Sequence, residues 1–160
     1  MNGAHIHLLL NHVPILGSLF ALCLLLYGIF TKSDSVMKAA LLTMVVATLV
    51  AIPAFLSGEE AEHVVEPIIG INDTALESHE DMAEIAFYSM LMAGAIALGT
   101  VFASRTAIVL SNTLVWINVV MMIIVFFLMA RTGLSGGEIR HSEINASVAA
   151  SGEVDEENED

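Results

Sequence analysis

Two apolar stretches in the first third of the chain decide the fold. Residues 13–31 read VPILGSLFALCLLLYGIFT, and residues 36–57 read VMKAALLTMVVATLVAIPAFLS. A helix that spans a bilayer needs about 20 predominantly apolar residues, and both stretches have that length. Only residues 32–35 separate them. Because this connection is so short, the two helices must be antiparallel neighbours.

Two further stretches, residues 82–104 and 106–130, have the same character. The chain is 56% hydrophobic with a mean hydropathy of +0.79, and charged residues make up 14%, whereas soluble domains average about 25% charged residues. An open sheet would leave its edge N–H and C=O groups without partners in lipid. We therefore predict an all-α integral membrane protein, an antiparallel up-down-up-down four-helix bundle.

The bundle forms one predicted domain, residues 1–141, and an acidic tail follows at residues 142–160. The tail ends in a run of carboxylates, which is typical of a solvated, disordered segment. The net charge of −13 argues against nucleic acid as a partner, because phosphate binding needs clustered Lys and Arg. The lone cysteine, Cys23, belongs to no CxxCH motif, which excludes covalent c-type haem.

The distribution of basic residues predicts the orientation in the membrane. The ends of the helices at the first and third connections carry three basic residues and the opposite ends carry two: Lys32, Lys38 and Arg105 against Arg131 and Arg140. Cytoplasmic loops carry an excess of Lys and Arg. This slight bias predicts a multi-pass protein of the bacterial inner membrane with both termini outside.

Histidines and carboxylates gather at the outer end of the predicted bundle. All six histidines precede or follow a span on that side, and of the 18 acidic residues only Asp34 falls at the other end. Imidazoles and carboxylates collected on one face are the ingredients of a metal or haem site. The histidines are His5, His7, His12, His63, His79 and His141.

His12 lies about one helical turn inside the apolar boundary, where an imidazole is costly without a partner. It is either a ligand facing the bundle axis or a headgroup-level histidine bonded to a carbonyl or water. His7 is five residues away, roughly 140° around a helix. At most one of the two can then face the bundle, unless the lead-in is not helical.

The segment after the second span contains one ExxH sequence, Glu60 to His63, with Glu62 between them. Residues three apart lie on the same side of a helix, so both could reach one ion. Four-helix di-iron proteins use two such sequences, and the chain has one here. The alternative is an acidic surface extension of the helix.

The third span is expected to start near His79, which is either a ligand or a capping residue. Glu84 follows among apolar residues, where it either binds a metal or pairs with Arg131. His141 comes after a glycine-rich turn that could fold back over the mouth of the bundle. The expected cofactor ligands are His12, His63, His79 and His141, and the expected metal ligands are His7, Glu60, Glu62 and Glu84.

Two segments, one before the first span and one after the fourth, carry a family resemblance. They are His7-Leu8-Leu9-Leu10-Asn11-His12-Val13-Pro14-Ile15 and Thr132-Gly133-Leu134-Ser135-Gly136-Gly137-Glu138-Ile139-Arg140-His141. They resemble the H-x4-H-F-P-I and T-G-x-x-G-G-x-x-x-H motifs of an uncharacterised family of bacterial four-helix membrane proteins. Leu8 and Val13 stand where that family commonly has Pro and Phe. Relatives joined to cytochrome-like modules imply a role in respiratory electron transfer.

Three functions follow as expectations. The first is a haem b protein for respiratory electron transfer, with His12 paired with His79 or His63 with His141, and with room for the porphyrin beside Gly17 and Ala21. Its acidic face would dock a basic cytochrome. The second is a non-haem site for a divalent transition metal, Zn, Cu or Fe. The third is a structural subunit of a larger membrane complex, with small-residue stripes that suit oligomers.

Overall fold

The chain folds into helices that build a four-span bundle. The computed structural model describes residues 3–65, 73–106 and 112–139, which form α1 (Gly3–Leu10), α2 (His12–Phe30), α3 (Asp34–Val65), α4 (Asp73–Thr106) and α5 (Asn112–Glu138). α1 and α2 continue into one span, Gly3–Phe30, and among the described residues four segments are long and apolar enough to cross a membrane. The predicted fold class is confirmed. The acidic tail lies outside the described residues.

The helices form a closed ring in which each span contacts two others. α2 packs on α3, α3 on α4, α4 on α5, and α5 returns to α2, while α1 packs along the outer end of α3. The turn between α2 and α3 contains Lys32, whose φ of 53° is left-handed. The ring brings α1, the C-terminal end of α3, the N-terminal end of α4 and the C-terminal end of α5 together at one end of the bundle.

Small residues set how closely the spans approach one another. A Cβ added to Gly17 would lie 2.7 Å from the Cβ of Ala47, and one added to Gly28 would lie 2.9 Å from the backbone N of Met37. Ala21 is fully buried in the core. The expected room for a porphyrin beside Gly17 and Ala21 is therefore filled by α3, because in lipid these small residues let backbones pack closely.

Large apolar side chains cover the outside of the ring. Phe20, Leu49 and Phe127 are each 59–64% exposed. In water such a surface would be a severe liability, since soluble monomers rarely expose large contiguous apolar patches. These side chains are consequently the ones that contact lipid.

Three helix ends differ from the sequence prediction. α4 begins at Asp73, ahead of the expected start near His79. α4 also continues to Thr106, and within its last turns the Ser104 hydroxyl donates to the Val101 carbonyl of the same helix. α5 continues to Glu138, so the expected glycine-rich turn is wrong.

One buried polar contact joins α4 to α5 within the membrane. Asn118, 1% exposed, donates from Nδ2 to Thr100 Oγ1 at 2.8 Å, and the Thr100 hydroxyl donates to the Ile96 carbonyl at 2.8 Å. A second Nδ2 hydrogen bond reaches the Leu114 carbonyl. The amide thus has partners on both helices, as a polar group in hydrocarbon requires.

We expect Thr100→Val to destabilise the bundle by about 0.6 kcal/mol, and by no more than about 1.7 kcal/mol, because it removes this interhelical bond without changing the side chain's shape. The free energy of unfolding in detergent measures the loss. Thr43→Val is the control, since the Thr43 hydroxyl bonds only the Ala39 carbonyl of its own helix. Equal losses in the two variants would contradict an interhelical contribution.

Candidate functional site

His7 projects from α1 onto the outer end of α3. Its Nδ1 lies 2.9 Å from the Ala54 carbonyl oxygen. The imidazole also fills the space above Gly58, where an added Cβ would lie 3.5 Å from both Cε1 and Nδ1. The ring is half-buried. Its position is therefore fixed by one hydrogen bond and one glycine of α3.

His79 has the same kind of environment on the other side of the bundle, between α4 and α5. Its Nδ1 lies 3.0 Å from Ser135 Oγ. An added Cβ at Gly136 would lie 3.0 Å from Cε1 and 3.3 Å from Nδ1 of this ring. Gly136 thus lies inside α5 to admit the imidazole, which explains a glycine at a helical position where it costs about 1 kcal/mol relative to alanine.

The hydrogen-bond partners determine where each ring carries its hydrogen when it is neutral. A carbonyl oxygen only accepts, so Nδ1 of His7 must donate to Ala54. The Ser135 hydroxyl donates to the Thr132 carbonyl at 2.9 Å, so its oxygen accepts from Nδ1 of His79. Both rings therefore hold the hydrogen on Nδ1, which leaves the lone pair on Nε2.

The two imidazoles lie near each other at one end of the bundle, and His79 has a further hydrogen-bond partner in the backbone of Thr132. Within residues 3–65, 73–106 and 112–139, no buried side-chain nitrogen or oxygen lacks a partner. His7 is close enough to His79 for a charge on one ring to act on the other. The structure thus brings together two imidazoles, from α1 and α4.

Four of the predicted site residues, Glu60 among them, lie on the outside. His12 is exposed, and its Nδ1 contacts Asn11 Oδ1 at 2.5 Å. The expectation that it faces the bundle axis is not met, because the helical lead-in turns His7 inward and leaves His12 outward. His63, near the end of α3, and Glu84 on α4 are also exposed.

The carboxylates form a separate group at the ends of α3 and α4. Glu60 packs against Gly3 of α1. The side chains of Glu62 and Glu80 lie within hydrogen-bonding reach of each other. In the described part of the chain, no three His, Cys, Asp or Glu side chains are arranged to hold a metal ion. The fourth expected ligand histidine, His141, lies outside that part.

The residues that position the imidazoles were missed by sequence reasoning. Ser135, Gly58, Gly136 and the Ala54 carbonyl give no ligand signal of their own. One pattern did point to them: a glycine inside an otherwise helical, apolar stretch usually has a packing or functional reason. Reading the Gly133 to Gly137 segment as a turn concealed that signal.

Comparison of the chain with protein-family models, with curated proteins and with solved structures finds no match. The family resemblance of the opening and closing motifs accordingly stays a prediction.

Proposed function

We propose that this chain is a membrane-embedded b-type cytochrome in which Nε2 of His7 and Nε2 of His79 are the axial ligands of haem b. The observation that carries the proposal is the pair of neighbouring imidazoles from different helices, each with Nδ1 at hydrogen-bond distance from an oxygen of another helix. Histidines that ligate metals almost always donate their other ring N–H to a carbonyl, a carboxylate or water. Ala54 is such an acceptor, and Ser135 supplies an equivalent oxygen.

The number of available ligands favours haem over a bare ion. Structural and catalytic Zn sites use three or four protein ligands, and the described residues offer no group of three. Haem iron takes its equatorial nitrogens from the porphyrin and needs only axial ligands from the protein. Two histidines are therefore all the ligands that the protein has to supply to such a centre.

An aromatic pair next to the site also suits a porphyrin. Phe55 of α3 and Phe87 of α4 stack at a centroid distance of 4.2 Å with an interplanar angle of 3°. Phe55 follows Ala54, the acceptor for His7, and Phe87 lies two helical turns beyond His79. An apolar, aromatic wall is what a flat macrocycle requires on the membrane side of its site.

The cytochrome would serve electron transfer at the outer face of a bacterial inner membrane, with both termini outside. Exposed carboxylates surround the site, among them Glu59, Glu60 and Asp81. An acidic rim would attract a basic electron donor or acceptor and increase the association rate. The partner in this proposal is a soluble cytochrome or a subunit of a respiratory complex.

A dithionite-reduced minus oxidised visible spectrum of the detergent-purified protein, with iron analysis of the same sample, tests the proposal. We expect a b-type α band with stoichiometric iron. A featureless spectrum with bound zinc, copper or iron would overturn haem and support the non-haem alternative. A folded sample with no cofactor would overturn both and support a structural subunit.

A non-haem metal is the second candidate because of the carboxyl pair. Glu80 follows His79 directly in α4, and the neighbouring Glu62 brings a carboxylate of α3 to the same end of the bundle. Imidazole and carboxylate together suit zinc, copper or iron. Glu62→Gln separates the two candidates, since it would weaken binding of a bare ion and leave haem content unchanged.

A further inference from the structure

A cleft opens at the end of the bundle opposite His7 and His79. It encloses about 280 Å³, near the lower limit for small-ligand pockets. Its apolar wall comes from Ile29 of α2, Met37 of α3 and Val115 of α5. The cleft therefore lies where the inner end of α5 meets the turn between α2 and α3.

The cleft lies at the level of the lipid headgroups. Aromatic side chains that favour the membrane interface surround it: Phe30 is 84% exposed, Tyr27 is 60% exposed, and Trp116 lines the cleft itself at 55% exposed. Tryptophan and tyrosine are enriched at this depth because their rings are amphipathic. The molecules that meet this cleft in a membrane are accordingly phospholipids.

Two opposite charges stand on the polar rim of the cleft. Lys32 and Asp34 both line it. An ammonium only donates hydrogen bonds, and an ionised carboxylate only accepts them. A phosphate would bind beside Lys32, and a group with N–H donors would bind beside Asp34. An anionic headgroup alone would face the Asp34 charge, and a quaternary ammonium has no hydrogen to donate to it.

We propose that this cleft binds a zwitterionic phospholipid whose headgroup ends in a primary ammonium, as in phosphatidylethanolamine. The phosphate binds at Lys32, the ammonium binds at Asp34, and the first part of an acyl chain lies along Trp116. The site is independent of the haem proposal, because it lies at the other end of the bundle and shares no residue with it.

The chain supplies its own reporter for this site. Trp116 is the single tryptophan of the protein, so tryptophan fluorescence reports on this one position beside the cleft. The full-length protein is placed in nanodiscs of phosphatidylcholine that contain a small fraction of lipid with brominated acyl chains, which quench tryptophan on contact. The brominated lipid is phosphatidylethanolamine, phosphatidylcholine or phosphatidylglycerol at equal mole fraction.

We expect brominated phosphatidylethanolamine to be enriched at Trp116 about two- to fivefold over brominated phosphatidylcholine, the range for exposed ion pairs. Asp34→Asn should remove this preference, and Lys32→Gln should weaken binding of phosphatidylethanolamine and phosphatidylglycerol alike. Lys38→Gln is the matched control, since Lys38 is a neighbouring lysine that does not line the cleft. It should keep the native preference.

Equal quenching by all three lipids in the native chain would overturn the proposal. Stronger quenching by phosphatidylglycerol would overturn the zwitterionic headgroup and indicate an anionic-lipid site. Retention of the preference in both Lys32→Gln and Asp34→Asn would overturn the assigned roles of these residues. The first two outcomes are measured on the native chain alone. They can therefore be read even if a variant fails to fold.

Discussion

His7→Ala and His79→Ala are each expected to lower haem content by at least about tenfold, while His12→Ala leaves it unchanged. Removing groups that merely orient metal ligands costs about 10- to 100-fold in affinity, and loss of a ligand itself costs at least as much. His12 is the matched control, because it lies five residues from His7 yet is exposed and bonded to Asn11. Haem content is measured by pyridine haemochrome absorbance per protein.

His79 also packs against Gly136, so its loss could disturb the fold. His79→Gly with added imidazole separates the two effects, since free imidazole can occupy the vacated space and restore the ligand. We expect added imidazole to restore the haem spectrum of the His79→Gly variant. Haem retained in both alanine variants, or lost in His12→Ala, would contradict the assignment of His7 and His79. Helical content by circular dichroism identifies any variant that fails to fold.

Gly94→Ala is expected to destabilise the bundle by about 1–3 kcal/mol relative to Gly99→Ala, the range for overpacking a core. An added Cβ at Gly94 would lie 2.7 Å from Thr48 Cγ2 and closer still to the Thr48 hydroxyl. Thr48 cannot easily move, because it is buried and its hydroxyl bonds the carbonyls of Met44 and Met90. The contact between α3 and α4 must then open.

Gly99 is the matched control on the same helix. It is exposed, and a Cβ there would meet nothing within 4 Å. Both variants gain the same helix propensity, up to about 1 kcal/mol, so the difference between their free energies of unfolding isolates the contact at Thr48. Unfolding of each variant in detergent, followed by circular dichroism, provides the measurement. Equal stability of the two variants would show that α3 and α4 are less closely packed at Gly94 than the structure has them.

Part of the arrangement of the histidines could be predicted from the sequence. Sequence reasoning predicted which end of the bundle holds the histidines and that His7 and His12 cannot both face inward on one continuous helix. It ranked His12 above His7 because His12 lies deeper in the apolar segment. The structure turns His7 onto Ala54 and Gly58 instead. Depth in the membrane is read from sequence, but which way a side chain points depends on how the helix packs.

The Gly133 to Gly137 segment shows the same limit. Alone, its glycines are typical of a turn, since glycine is a poor helix former in water. In the structure the segment continues α5, where Gly136 lies against His79 and Gly133 lies against Ile15. Tertiary contacts with α4 and α2 stabilise a helix that local propensity disfavours. No pattern within the segment could reveal the neighbours that make it helical.

The sequence by itself determined the four spans, the all-helical bundle and the end at which polar groups collect. These follow from the physics of the bilayer, which demands apolar stretches of a set length and backbone groups bonded within each segment. Only the tertiary structure decided that His7 contacts the Ala54 carbonyl of α3 and that His79 contacts Ser135 of α5. The rotation of each helix and its contacts depend on side chains from distant parts of the chain. Close packing at single glycines then favours one arrangement of the helices over others that the amino-acid composition does not distinguish.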